Sequence, residues 1–224
     1  MKIRFTAARA AVAASMALLP VLSLAAGAHH AVDDAVILDP GKCEVEAWGV
    51  SGSSSSGLHV GSNCRVGPVE LGVAGESARR AGVSATTWGG QVKWAAPVSE
   101  SLSLGLSLSP SWSARGSPSY QGMVGMGLAT WKASEDLTFH GNYGREFLNG
   151  AQDRSRYGAA VEWKAADAVT LMAERYRQDG GHFARVGARW QANEKWSLDL
   201  SRANRLSGPG ESSWIVGATM KFDR

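Results

Sequence analysis

Three sets of side chains in this 224-residue sequence have the types and spacing for chemistry. His29 and His30 are adjacent and are followed by Asp33 and Asp34, a nitrogen and oxygen donor set suited to copper, nickel or zinc. No further histidine or cysteine stands at the spacing of a structural zinc site, so a polar tether is the competing reading. Cys43 and Cys64 are the only cysteines and form either a disulfide or a thiolate metal pair. The third set is charged residues at alternate positions in short segments: Glu44, Glu46, His59, Arg65, Glu70, Lys93, His140, Arg156, Glu162, Glu174, Arg185, Arg189 and Asp199. Alternate residues of a strand share a face. Such a face, nearly balanced in sign, either lines a water-filled path for a polar solute or locks into ion pairs that fill an interior. The serines of SGSSSSG have no anchored base beside them, and no phosphate-cradling loop, zinc motif or calcium loop occurs. Neither an enzyme nor a cofactor is expected.

The elements that would position these groups are strands. In the last stretch, SSWIVGATMKFDR, Trp214, Val216, Ala218, Met220 and Phe222 alternate with Ile215, Gly217, Thr219 and Lys221. Similar endings recur upstream as GGQVKW, GLATW, YGAAVEW and VGARW, closing on Trp94, Trp131, Trp163 and Trp190 at intervals of 27 to 37 residues. That is the length of a repeated hairpin. SLSLGLSLS is the clearest strand; SYQGMVGMGLATW is apolar on both parities and fixes no face. Twelve strands result, and the fold expected is all-β: an antiparallel up-and-down transmembrane β-barrel over residues 43–224.

Trp94, Trp131, Trp163, Trp190, Trp196 and Phe222 share the apolar parity at one end of successive hairpins, as an aromatic girdle at a membrane interface requires. Trp112, Tyr120, Phe147 and Trp214 supply a less regular second girdle. A soluble sandwich gives no reason for that placement. A lysine or arginine facing lipid at the midplane costs about 2 to 4 kcal/mol, which accounts for the segregation of charge to the other parity. Glu76, Gln91, Asn142, Tyr176 and Lys221 join the inward set; Trp48 falls on the inward parity without a reason. Short connections such as KASED, KAADA and QANEK lie at the girdle end. The connections PSWSARGSPS, REFLNGAQDRS and RLSGPGES lie at the other, with SGSSSSG also read as a loop.

Pairing Cys43 with Cys64 sets Ala47 opposite Val60 and puts the turn between Ser53 and Ser54. Both thiols then point the same way, and an exported chain favours the disulfide. Export is read from residues 1–28, where basic residues precede an interrupted apolar run ending at Ala26-Gly27-Ala28, the pattern of a secretory signal peptide. Removing Lys2, Arg4 and Arg9 with it brings the 23 basic residues level with the 20 acidic ones, leaving no basic footprint for nucleic acid. Residues 29–42 form an N-terminal periplasmic segment, a plug or a metal-binding tail.

These features, and Gly217-Ala218-Thr219-Met220-Lys221-Phe222 most of all, resemble the small outer-membrane β-barrels of the porin-like superfamily of Gram-negative bacteria. The resemblance covers about residues 43 to 224. It implies location in the outer membrane of a Gram-negative bacterium, contact with outer-membrane lipid, and recognition of the terminal strand by the barrel assembly machinery. Asp223 and Arg224 depart from the usual terminal aromatic residue. The function expected is passage or binding of a small polar solute through a charged lumen. The alternatives are metal binding or transport through His29-His30, and a structural or adhesive barrel. His140-Gly141-Asn142 lacks the serine of the outer-membrane phospholipase arrangement.

Overall fold

A computed structural model describes residues 30–117 and 119–224. The expected signal peptide at 1–28 and the candidate metal ligand His29 lie outside the described residues. Twelve strands run in sequence: β1 (Lys42–Gly52), β2 (Ser55–Val66), β3 (Val69–Arg80), β4 (Val83–Pro97), β5 (Leu102–Ser113), β6 (Tyr120–Lys132), β7 (Leu137–Leu148), β8 (Arg154–Ala166), β9 (Val169–Gln178), β10 (Gly181–Gln191), β11 (Trp196–Ser207) and β12 (Ser213–Asp223). Each pairs antiparallel with its sequence neighbours, and β12 pairs with β1 from Asp223 opposite Lys42 to Ser213 opposite Gly52. The sheet is therefore a closed barrel with no free edge, as a lipid environment demands.

Strict alternation sets the faces. On β12 Trp214 and Val216 are exposed while Ser213, Ile215, Gly217 and Thr219 are buried; on β5 Leu104, Leu106 and Leu108 are exposed while Ser107 and Ser109 are buried. Apolar out and polar in is the pattern of a barrel whose solvent is lipid. At the end carrying the C-terminus and the start of β1, Trp94, Trp131, Trp163, Trp190 and Trp196 are exposed on the outer surface, with Phe222 half-buried beside them. The opposite end carries a second belt in which Trp88 stacks on Trp112 and Tyr143 on Tyr157, with Trp214 and Phe147 completing it.

Cys43 is disulfide-bonded to Cys64 in the expected register, Ala47 opposite Val60. The bond ties β1 to β2 beside the seam that closes the barrel. SGSSSSG is not a loop over its length: Gly52 ends β1, Ser55 starts β2, and only Ser53 and Ser54 turn. Other far-end connections are equally tight. Ala81-Gly82 and Asp179-Gly180 are two-residue turns in which both residues have positive φ, the twist that matches a hairpin. The length contrast between the two ends is thus smaller than composition implies, because Gly, Ser and Asp also continue strands to the rim.

Candidate functional site

Side-chain alternation brings the charged set into the lumen. Glu44, Glu46, His59, Glu70, Lys93, His140, Arg156, Glu174, Arg185 and Asp199 are buried inside the barrel, while Arg65, Glu162 and Arg189 are half-buried. Lys221 is exposed at the terminal end. What these groups surround is the chain's own N-terminal segment, residues 30–41, which runs through the lumen without joining the sheet.

A backbone inside a barrel needs partners for its amides. Here lumen side chains supply them. The N–H of Leu38 donates to Glu70 Oε2 at 2.9 Å, and Arg65 donates to the Leu38 carbonyl at 2.9 Å. The N–H of Ala35 donates to Thr130 Oγ1 at 2.7 Å, and that of Val32 to Glu174 Oε2 at 3.0 Å. With its amide oriented to match donor to acceptor, Asn142 brackets Asp33, donating to its carbonyl at 2.9 Å and accepting from its N–H at 2.6 Å. At the centre Lys93 Nζ bridges Asp33 at 2.8 Å and Asp34 at 2.7 Å, with no exposure of the lysine side chain. Farther along, Glu174 is held by Arg185 at 2.9 Å and Asp199 by Arg189 at 2.9 Å, and His30 lies 3.9 Å from each carboxylate.

Apolar contacts accompany the polar ones. Ala35 packs against Val124, Met126 and Leu128, which β6 turns inward. That explains why the strand is apolar on both parities: one face meets lipid and the other meets the threaded segment. Val32 lies over Gly158, where a Cβ would come within 2.5 Å of Val32 Cγ2. Trp48 also acquires a reason, stacking on His59 with 3.5 Å between ring centroids and 7° between planes, beside Ala203 and Ile215.

Beyond His30 and Ala31 a cavity of about 260 Å³ leads to the far mouth. Its walls carry two aromatic pairs, Trp48 on His59 and Tyr176 on Phe183, with Arg80 and Arg154 at the rim. Flat apolar faces beside guanidinium donors suit a small solute with both polar and apolar surfaces. At the mouth, the carboxylate of Glu211 accepts hydrogen bonds from the hydroxyls of Ser53, Ser54 and Ser55 and from the N–H of Ser54. Slight burial acts to raise its pKa, but these donors prevail and hold it at about 2.

Thr130, His140 and Glu162 form a row, with Thr130 Oγ1 2.9 Å from His140 Nδ1 and His140 Nε2 3.9 Å from Glu162. The threonine oxygen is engaged by the Ala35 N–H and Thr130 is 3% exposed, so the row seats the segment and offers no attacking oxygen to a substrate. For the metal ligands, Asp33 and Asp34 are turned to Lys93 and His30 to Glu174 and Asp199. Among the described residues no three His, Cys, Asp or Glu side chains gather around one point. Glu146, fully buried and accepting the Asp179 N–H at 3.0 Å, is a lumen residue that sequence reading missed. It falls within REFLNGAQDRS, whose composition reads as a connection, although Glu146 and Leu148 continue the inward parity of β7.

The fold is a closed twelve-stranded antiparallel barrel, apolar outside and charged within. Residues 14–222 match the family described as Uncharacterised conserved protein UCP029691, and the chain belongs to that family. No curated protein matches the sequence. Among solved structures, the KdgM porin is similar at a TM-score of 0.66 and 10% identity over 80% of this chain and 99% of that one. A KdgM structure in complex with disordered oligogalacturonate gives 0.63 at 11% identity over 80% and 99%. The NanC porin gives 0.59 at 12% identity over 80% and 100%. The likeness is one of fold.

Proposed function

We propose that the protein is an outer-membrane channel of a Gram-negative bacterium that passes a small polar solute, with residues 30–41 docked in its lumen as a plug that sets the open fraction. Residues 1–28 are the signal peptide in this reading, and the C-terminus and the start of β1 face the periplasm. The observation that carries it is the Lys93 bridge to Asp33 and Asp34, because polar anchoring of a strandless segment inside a barrel is reversible in a way that sheet pairing is not. An apolar plug would stay fixed; a hydrogen-bonded one exchanges its partners for water. The aromatic and arginine walls beyond His30 form the solute's entry, and the polar ligand of the KdgM complex fits a lumen of this kind.

Planar-bilayer recording tests the reading. The mature chain should conduct in bursts, and a chain lacking residues 30–41 should conduct steadily. A folded barrel that is silent in both forms overturns the channel. Equal conductance in both forms overturns the plug.

A further inference from the structure

The basic residues of the barrel are sorted by type along its axis. Among the described residues every lysine, Lys42, Lys93, Lys132, Lys164, Lys195 and Lys221, lies in the half nearer the C-terminus. The far half carries arginine alone. Three of these arginines point outward on one wall: Arg175 and Arg177 from β9 and Arg202 from β11. Arg177 stands opposite Tyr157 and His182, Arg175 opposite Ala184, and Arg202 opposite Val186 and Trp214. Same-face neighbours on a strand are about 7 Å apart, and alternate strands about 10 Å. By that spacing the Cα of Arg202 lies about 12 Å from that of Arg175 and about 17 Å from that of Arg177, so the three form one basic patch across β9 to β11.

None of the three has a carboxylate within ion-pair distance among the described residues; Asp153, near the same end, is engaged by Arg145 at 3.5 Å. Arg202 is steadied by the Trp214 ring, 5.3 Å from its guanidinium carbon, an aromatic contact that leaves its N–H donors unused. The aromatic belt of Tyr143, Tyr157 and Trp214 puts this cluster at headgroup depth. On the wall formed by β2 to β6, the corresponding outward band has Arg79 as its one base.

The surface below the cluster is shaped as well as apolar. Ala188 lies between Leu171 and Leu200 on the neighbouring strands, and its small side chain leaves a groove of about 340 Å³ bounded by Val169, Trp190, Leu198 and Val216. The groove begins one row beneath Arg202, since Ala188 opposite Leu200 is the next outward pair after Val186 opposite Arg202. We propose that this wall binds a phosphate-bearing membrane lipid, its anionic headgroup lying on the patch of Arg175, Arg177 and Arg202 and an acyl chain lying in the groove over Ala188. Guanidinium presents paired donors that match phosphate oxygens, which a lysine ammonium does not. That preference accounts for arginine at this depth, and it holds whatever the lumen carries.

The test is native mass spectrometry of the full mature chain in detergent, titrated with dioleoyl phosphatidic acid, dioleoylglycerol or inorganic phosphate. The intact protein should retain phosphatidic acid at least tenfold better than dioleoylglycerol. Retention should fall about tenfold in Arg175→Gln/Arg177→Gln/Arg202→Gln, fall less when the same positions become lysine, and fall in Ala188→Trp, which fills the groove. Heat-dependent gel mobility reports folding of each variant, and Arg202→Gln alone serves if the triple variant does not fold. Equal retention by the glutamine variant, or of dioleoylglycerol, overturns the site. Full competition by millimolar inorganic phosphate with no effect of Ala188→Trp makes it a free-anion site and overturns the lipid.

Discussion

Replacing Lys93 by methionine removes the cation that pairs with both carboxylates of the threaded segment while keeping the side chain's bulk. Its Nζ lies 2.8 Å from Asp33 and 2.7 Å from Asp34, and the three side chains are 0%, 6% and 36% exposed. Deleting one partner of a buried ion pair costs about 3 to 5 kcal/mol, because the other charge stays behind uncompensated. Solvent reaches Asp34, so the lower figure applies, about 3 kcal/mol. Undocking the segment returns both carboxylates to water and recovers that cost. At about 1.4 kcal/mol per decade, the docked-to-undocked ratio falls by about a hundredfold. The readouts are the open fraction in planar bilayers and the rate of proteolysis within residues 30–41, and both should rise. Adding Asp33→Asn and Asp34→Asn should restore docking, since no isolated charge remains. Unchanged proteolysis and conductance in Lys93→Met would refute the reasoning.

The segment can also be displaced sterically. Gly158→Val places a side chain where a Cβ alone would meet Val32 at 2.5 Å and Tyr176 Cβ at 2.9 Å, so the same two readouts should rise although no charge has changed. A protected segment in that variant would show that Val32 does not need this site. At the far mouth, the depressed pKa of Glu211 means that its carboxylate keeps its serine partners above the unfolded value near 4.3 and loses them only as pH falls through about 2. A carboxyl-carbon NMR titration in micelles should find Glu211 ionised at pH 4; a midpoint there would remove the latch between the two loops.

The barrel was legible because its signal is periodic and redundant. Each Trp-closed hairpin repeats the parity of the last, so β6 could be ambiguous without harming the count. The disulfide register followed from the same parity, with Ser53 and Ser54 at its midpoint. The outer end was less legible, since glycine and serine serve a turn and a strand rim equally well, and the rim of β7 that carries Glu146 has the composition of a connection. A plug was one of two readings of residues 29–42, but the contacts of the threaded segment were not legible. His30, Asp33 and Asp34 have no periodicity, and their partners Lys93, Asn142, Glu174 and Asp199 lie on four strands far along the chain.

That illegibility has a physical root that bears on function. A strand advertises itself by local alternation, whereas a segment held by side-chain hydrogen bonds needs only donors and acceptors at compatible heights. The lumen charges on which it depends are the same charges that would line an open path. Glu70, Lys93, Glu174 and Arg65 each bond to residues 31–38 in the docked state, and each becomes a water-facing group when the segment leaves. Filling the barrel and lining a channel are therefore two occupancies of one set of residues. In the proposed channel the contacts of Lys93 and Gly158 with the segment set the balance between them, which the two substitutions address separately.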